Sequence, residues 1–204
     1  GAHVEARGAV NGIGLVKLMG RHAGFIAAGA SVVSQEVDFT LVPEIPFPLE
    51  GANGFLAALE QRMRERKHAV VVVAEGAGQH LITASQQRRD KSGNLLRDDI
   101  GDFLKHEILA HFAERDFPVT LKYLDPSYHI RSVPANVYDR YLSDQMGRHA
   151  VHAAMAGKTD LIVGFEHSHY IHVPIPTVVS QNNQMDVSGD LWRAVLESPS
   201  QPRW

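Results

Sequence analysis

The sequence contains no cysteine. That excludes a disulfide framework, thiolate metal sites and a cysteine nucleophile, and it fits a cytoplasmic protein. No apolar run reaches the ~18–20 residues a membrane-spanning helix requires. The amino terminus lacks a basic stretch followed by an apolar one, so it does not read as a signal peptide. An initiator methionine is missing too, and the opening "GAHVEARGAV" reads like the middle of a longer chain. Neither sign of charge dominates: 20 basic and 23 acidic residues leave a net charge of −3. The basic residues are scattered, so nucleic acid finds no electrostatic footprint. No P-loop, dinucleotide fingerprint, Gly-Gly-Asp turn or serine elbow is present. Nothing obvious, therefore, supplies a phosphoryl donor site, and neither nucleic acid nor membrane is an expected partner.

What is present is an ordinary globular composition, 44% apolar and 21% charged over 204 residues. That is enough for a sizeable core, either one domain or one lobe of something larger. No repeat, low-complexity tract or linker divides residues 1–204. Apolar runs and helical patterns alternate along them. Strands are predicted over residues 13–18, 37–44, 69–74 and 117–124, and a strand pair over 159–175. Helices are predicted over 24–30, 53–68, 100–116, 137–157 and 189–198. Residues 83–99 read as a polar loop with turn chemistry at Ser92-Gly93-Asn94, and residues 125–136 as an irregular loop. Continuous apolar strands between helices predict an α/β fold, a mostly parallel sheet flanked by helices. In such sheets ligands collect outside the carboxyl ends of the strands. The informative residues are then Met19-Gly20-Arg21, Pro43-Glu44, Glu75-Gly76, and Tyr128 with Arg131.

Each of these has two readings. Gly20-Arg21 opens a helix where Ser, Thr or Asp would be the ordinary cap. Free amides, the positive helix end and a guanidinium there suit a phosphate oxygen. Alternatively Gly20 makes a tight turn and Arg21 pairs with a carboxylate, and spacing alone does not choose. Glu75, in "VVVVAEGAG", is placed to accept hydrogen bonds from sugar hydroxyls while glycines admit the ligand, or else to fix its own turn. Tyr128 and Arg131, three apart in "DPSYHIR", form a grip for a phosphomonoester, or Tyr128 is structural. Lys122 would add a point charge. His167, His169 and His172 lie in "EHSHYIH", but on a strand the third faces away from the first two. His149 and His152 share a helix without a carboxylate at ligand spacing. These histidines read as surface or strand-edge residues, and no metal site is expected.

Five blocks carry a resemblance: "AHVEARGAVNGIGLVKLMGRHAGFIA", "VDFTLVPE", "VVVVAEGAGQ", "KYLDPSYHIRSVPAN" and "HAVHAAMAGKTDLIVG". In this order they are similar to the 6-phosphofructokinases, in the branch where ATP- and pyrophosphate-dependent enzymes intermingle. The resemblance implies the carboxyl-terminal, fructose-6-phosphate-binding part of such an enzyme, over residues 1–204. Met19, Gly20 and Arg21 would contact fructose 6-phosphate, with Arg21 also stabilising charge on the transferring phosphoryl group. Glu75 would bind sugar hydroxyls, Tyr128 and Arg131 the 6-phosphate, and Lys122 a neighbouring subunit's site in a homo-oligomer.

Absent are the family's donor loop, its Gly-Gly-Asp turn and the Thr-Ile-Asp-Asn-Asp segment with the aspartate base. The donor, ATP or pyrophosphate, and the Mg2+ ion would be held by this missing amino-terminal part. The chain alone is expected not to turn over. Gly12 stands where other members carry a second subunit-crossing arginine. A pyrophosphate-dependent enzyme and a non-catalytic sugar-phosphate-binding subunit are the alternatives.

Overall fold

A computed structural model describes residues 1–82, 99–180, 183–197 and 201–204. They fall into two units, residues 1–128 with 184–204, and residues 129–183. Ser92-Gly93-Asn94 and most of the polar loop expected at residues 83–99 lie outside the described residues.

The first unit is built on a parallel sheet. Its strands are β1 (Gly12–Leu18), β2 (Phe39–Leu41), β3 (His68–Ala74) and β4 (Thr120–Leu124), in the order β2-β3-β1-β4. β1 and β3 run in register from Gly12 opposite His68 to Leu18 opposite Ala74, so they end together. β4 joins β1 from Thr120 opposite Gly12 to Leu124 opposite Val16. The unbroken Val70 to Val73 run reflects burial on both faces. On one face Ile13, Leu15, Val71 and Val73 meet α3 (Phe55–Arg66) and α4 (Ile100–Ala113). On the other, Leu18, Val72 and Ala74 meet α2 (Phe25–Ser34) and α8 (Asp190–Leu196). Burying Val71 or Val73 completely is worth about 1.5–3 kcal/mol each.

α1 (Ala2–Gly8) lies against β1. A Cβ on Gly12 would come within 2.0 Å of the Ala6 carbonyl oxygen, so this helix leaves no room for a side chain there. β2 is shorter than the predicted 37–44 because the chain bends away at Val42-Pro43, and proline has no amide to continue the ladder. The edge of β2 is closed by the carboxyl-terminal tail: Thr40 N donates to the buried Gln201 Oε1 at 2.6 Å.

Residues 125–136, expected to be irregular, include a short helix, α5 (Ser127–Ser132). Its start is set by Asp125, whose Oδ1 accepts from Ser127 N at 3.1 Å and from Ser127 Oγ, an Asx-Pro turn.

The second unit contains α6 (Val137–Met155), the antiparallel hairpin β5 (Leu161–Glu166) and β6 (His169–Pro174), and α7 (Ile175–Val179). α6 is capped by Asn136 Oδ1 and closes at Gly157, whose φ of 74° is the left-handed conformation that favours glycine. Tyr170 stacks on His149 at 4.5 Å and packs against Phe165 at 4.9 Å. Ala153 is the only fully buried residue among the described residues of this unit.

Candidate sugar-phosphate site

Because β1 and β3 end in register, the turns that follow them are neighbours. Glu75 N donates to Leu18 O at 2.9 Å, and Gly76 N donates to Gly20 O at 2.9 Å. Gly20 takes φ 148°, and a Cβ there would lie 2.6 Å from the Ala23 carbonyl oxygen. Gly76 is more constrained, since its Cβ would meet the Arg21 carbonyl oxygen at 2.0 Å. The missing Cβ of Gly76 therefore makes room for another stretch of backbone.

This crossing places the two expected side chains together: Arg21 Nε donates to Glu75 Oε1 at 3.2 Å. Both remain reachable, with side chains 44% and 35% exposed. Arg21 borders an open cleft of about 310 Å3, whose walls include His22, Pro43, Gly76, His80 and Gln184. His80 escaped the sequence reading, and His22 stands out there only as part of the helix start after Arg21. No spacing rule singles them out, since their role comes only from the crossing of the two turns. His80 Nε2 is bonded to Phe47 O at 3.1 Å, which fixes that imidazole at the rim.

No side chain caps the unusual start of α2, but Gly24, the residue before it, is held by a distant carboxylate. Glu44, just beyond β2, accepts through Oε1 from Gly24 N and from Met185 N, each at 2.9 Å. Its second oxygen is buried without a hydrogen-bond partner among the described residues, facing the positive helix end. The amide of Gly24, just before α2, is thus held by a distant carboxylate of the same chain.

Lys122 pairs with Gly14, four residues before the end of β1, or roughly 13 Å short of that strand's end at 3.3 Å per residue. It is exposed and does not line the cleft. Tyr128 follows β4 and is 83% exposed, also outside the cleft lining. Arg131 lies in the last turn of α5 and belongs to the second unit. Met19 sits between Leu18 and the Gly20 turn, partly buried.

A cation missed by the sequence reading lies beneath these turns. Lys17 Nζ contacts Asp99 Oδ2 at 2.6 Å and Asp125 Oδ2 at 3.0 Å, and stands 5.9 Å from the centre of the Tyr123 ring. Asp99 also caps α4 through Gly101 N and Asp102 N, and accepts from the Tyr123 hydroxyl at 3.1 Å. Burial opposes the charge on Lys17, but its hydrogen bonds with Asp99, Asp125 and Tyr123, in which the carboxylates accept, outweigh it and raise its pKa. Asp99 and Asp125 are pushed up by burial and then held below the usual carboxylate range, Asp99 first by Lys17 and Asp125 by Ser127 and Lys17. Burial, with Asp99 adding its negative field, pushes the Tyr123 phenol up to about 12. The available signal was a lone lysine inside the apolar run "IGLVKLM".

Among the described residues no group of three or more His, Asp or Glu side chains is placed to hold a metal ion. None of their helices is long and apolar enough to cross a membrane.

Residues 2–167 match the family model described as phosphofructokinase. The chain is 47% identical over 208 aligned residues to an ATP-dependent 6-phosphofructokinase of Borreliella burgdorferi, covering 99% of this chain and 46% of that protein. It is 42% identical to ATP-dependent 6-phosphofructokinase 1 of Arabidopsis thaliana, covering 98% and 43% respectively. The chain thus spans about half the length of the curated relatives it matches. Among solved structures, a pyrophosphate-dependent phosphofructokinase from Marinobacter aquaeolei superposes with a TM-score of 0.64 over 93% of this chain and 46% of that one, at 22% identity. At that identity the likeness speaks for the fold. The fold, the paired Arg21 and Glu75, and the match over residues 2–167 lead to one conclusion: the chain belongs to the phosphofructokinase family.

Proposed function

We propose that this chain is the carboxyl-terminal, sugar-phosphate-binding part of a 6-phosphofructokinase that transfers a phosphoryl group to O1 of fructose 6-phosphate, with ATP as donor, in glycolysis. The observation that carries the reading is the Arg21–Glu75 pair, held at 3.2 Å where β1 and β3 end together. A half-exposed guanidinium is free to exchange a carboxylate for phosphoryl oxygens, and the released Glu75 accepts from sugar hydroxyls. Arg21 then stabilises the negative charge that develops on the transferring group. Met19 and Gly20 would form the wall beneath the sugar, and Tyr128 and Arg131 would hold the 6-phosphate. Lys122, well below this level, would serve the site of a neighbouring copy in a homo-oligomer.

In the transfer, O1 forms a bond to phosphorus, the bond to the leaving phosphate breaks, and the hydroxyl proton passes to a base. The ion, the nucleotide and the base would belong to the half of the enzyme outside these residues, since the chain spans about half the length of its curated relatives. A glycolytic enzyme of this kind would work in the cytoplasm.

Calorimetry with fructose 6-phosphate tests the reading. The chain is expected to bind the sugar phosphate, and Arg21→Ala or Arg131→Ala to weaken binding roughly 30-fold, about 2 kcal/mol. Neither ATP nor pyrophosphate should support turnover. Undiminished affinity in Arg131→Ala would remove that residue from the site, and turnover by the chain alone would overturn the division of labour.

A further inference from the structure

The Lys17 cluster joins three parts of the sheet's carboxyl end. Lys17 itself lies in β1, four residues before Arg21. Through Asp99 it reaches the start of α4, and through Asp125 the turn after β4 that leads into Tyr128. Asp125 has a double duty, because Oδ2 meets the ammonium while Oδ1 holds Ser127. The lysine side chain is only 14% exposed, so its charge is desolvated and its two carboxylate partners are held firmly. Purely structural partners of this sort are common, but here one of them is the residue that shapes the turn before Tyr128.

We infer that Lys17 is a positioning residue of the sugar-phosphate site: its ammonium fixes the Asp125-Pro126-Ser127 turn, and hence Tyr128, relative to the strand that ends in Arg21. This rests on the function proposed above. Lys17 touches no ligand. Its effect on binding passes through Asp125, and Asp99 is a structural partner of the same cation. Positional errors of about 1 Å at a binding group carry costs of up to a hundredfold.

The test compares Lys17→Met, Asp125→Asn and Asp99→Asn with the unmodified chain, by calorimetry with fructose 6-phosphate and by thermal unfolding. Lys17→Met and Asp125→Asn should each weaken binding about tenfold, and their combination should be no worse than Lys17→Met, as for residues acting through one contact. Asp99→Asn should lower the melting temperature yet change affinity less than about twofold. A cluster that served stability alone would lower melting temperatures while leaving affinity intact in all three, and that outcome overturns the inference. If the unmodified chain fails to bind the sugar phosphate, the proposed function fails. Amide exchange at Ser127 and Tyr128 still decides on Lys17, because protection there should fall in Lys17→Met, and unchanged protection rejects the role. Should Lys17→Met not fold, Asp125→Asn carries the same readings, since its side chain is 38% exposed and tolerates solvent.

Discussion

At the residue scale, the site depends on two backbones crossing where a side chain would not fit. The Gly76 Cβ position lies 2.0 Å from the Arg21 carbonyl oxygen and 3.0 Å from that of Gly20. Gly76→Ala must therefore push the turns after β1 and β3 apart, breaking the Gly76 N to Gly20 O bond and the alignment of Arg21 with Glu75. The expected cost is about 3 kcal/mol, a drop in melting temperature of roughly 6–12 °C for a chain of this size. Fructose 6-phosphate affinity should fall with it. Thermal unfolding and calorimetry on the variant check both, and a stable variant with normal affinity would contradict the crossing.

The identities of Arg21 and Glu75 were legible in the sequence because each follows an apolar run at a glycine. Their contact with one another was not, because it depends on β1 and β3 ending in the same register. Lys17 went unnoticed because a single lysine in a strand carries no local sign of two distant carboxylates.

At the element scale, the residue that leads into the helix after Arg21, Gly24, is held by a carboxylate twenty positions away in the chain. Glu44 accepts from Gly24 N and Met185 N, linking α2, the end of β2 and the segment before α8. Glu44→Ala is expected to cost about 2 kcal/mol, two charge-assisted bonds less what solvent restores, or roughly 4–8 °C in melting temperature. Glu44→Gln keeps an accepting oxygen but loses the charge facing the helix start, so its loss should be smaller. Equal melting temperatures for the alanine variant and the parent would show that the Glu44 link between Gly24 and Met185 does not stabilise the fold.

Strand and helix positions were largely legible, since β1, β3, α3, α4 and α6 follow clear apolar periodicities. What local pattern does not encode is α5, started by an Asx-Pro turn, and the early end of β2 at Val42-Pro43. Both follow from side-chain and backbone chemistry at single residues, which a periodicity of 2 or 3.6 does not register.

At the scale of the whole molecule, the two units differ in how much they bury. In the first, β1 and β3 are covered on both faces by helices, and residues such as Ile13, Leu15, Val71 and Val73 are fully buried. In the second, the nineteen residues of α6 bury only Ala153, while Val137, Tyr138, Tyr141, Val151 and Met155 are each more than 60% exposed. A single hairpin with one helix has little apolar burial to set against chain entropy.

Hydrogen exchange should then be unequal. Amides of β3 should open only with global unfolding, whereas those in the middle of α6 should exchange at least roughly a hundredfold faster through local opening. Mass spectrometry of peptides from residues 68–74 and 137–155 at several protein concentrations measures this directly. A concentration-dependent rise in α6 protection would mean that copies of the chain cover its exposed apolar residues. Protection of α6 equal to that of β3 at the lowest concentration would show that burial by its own chain is enough.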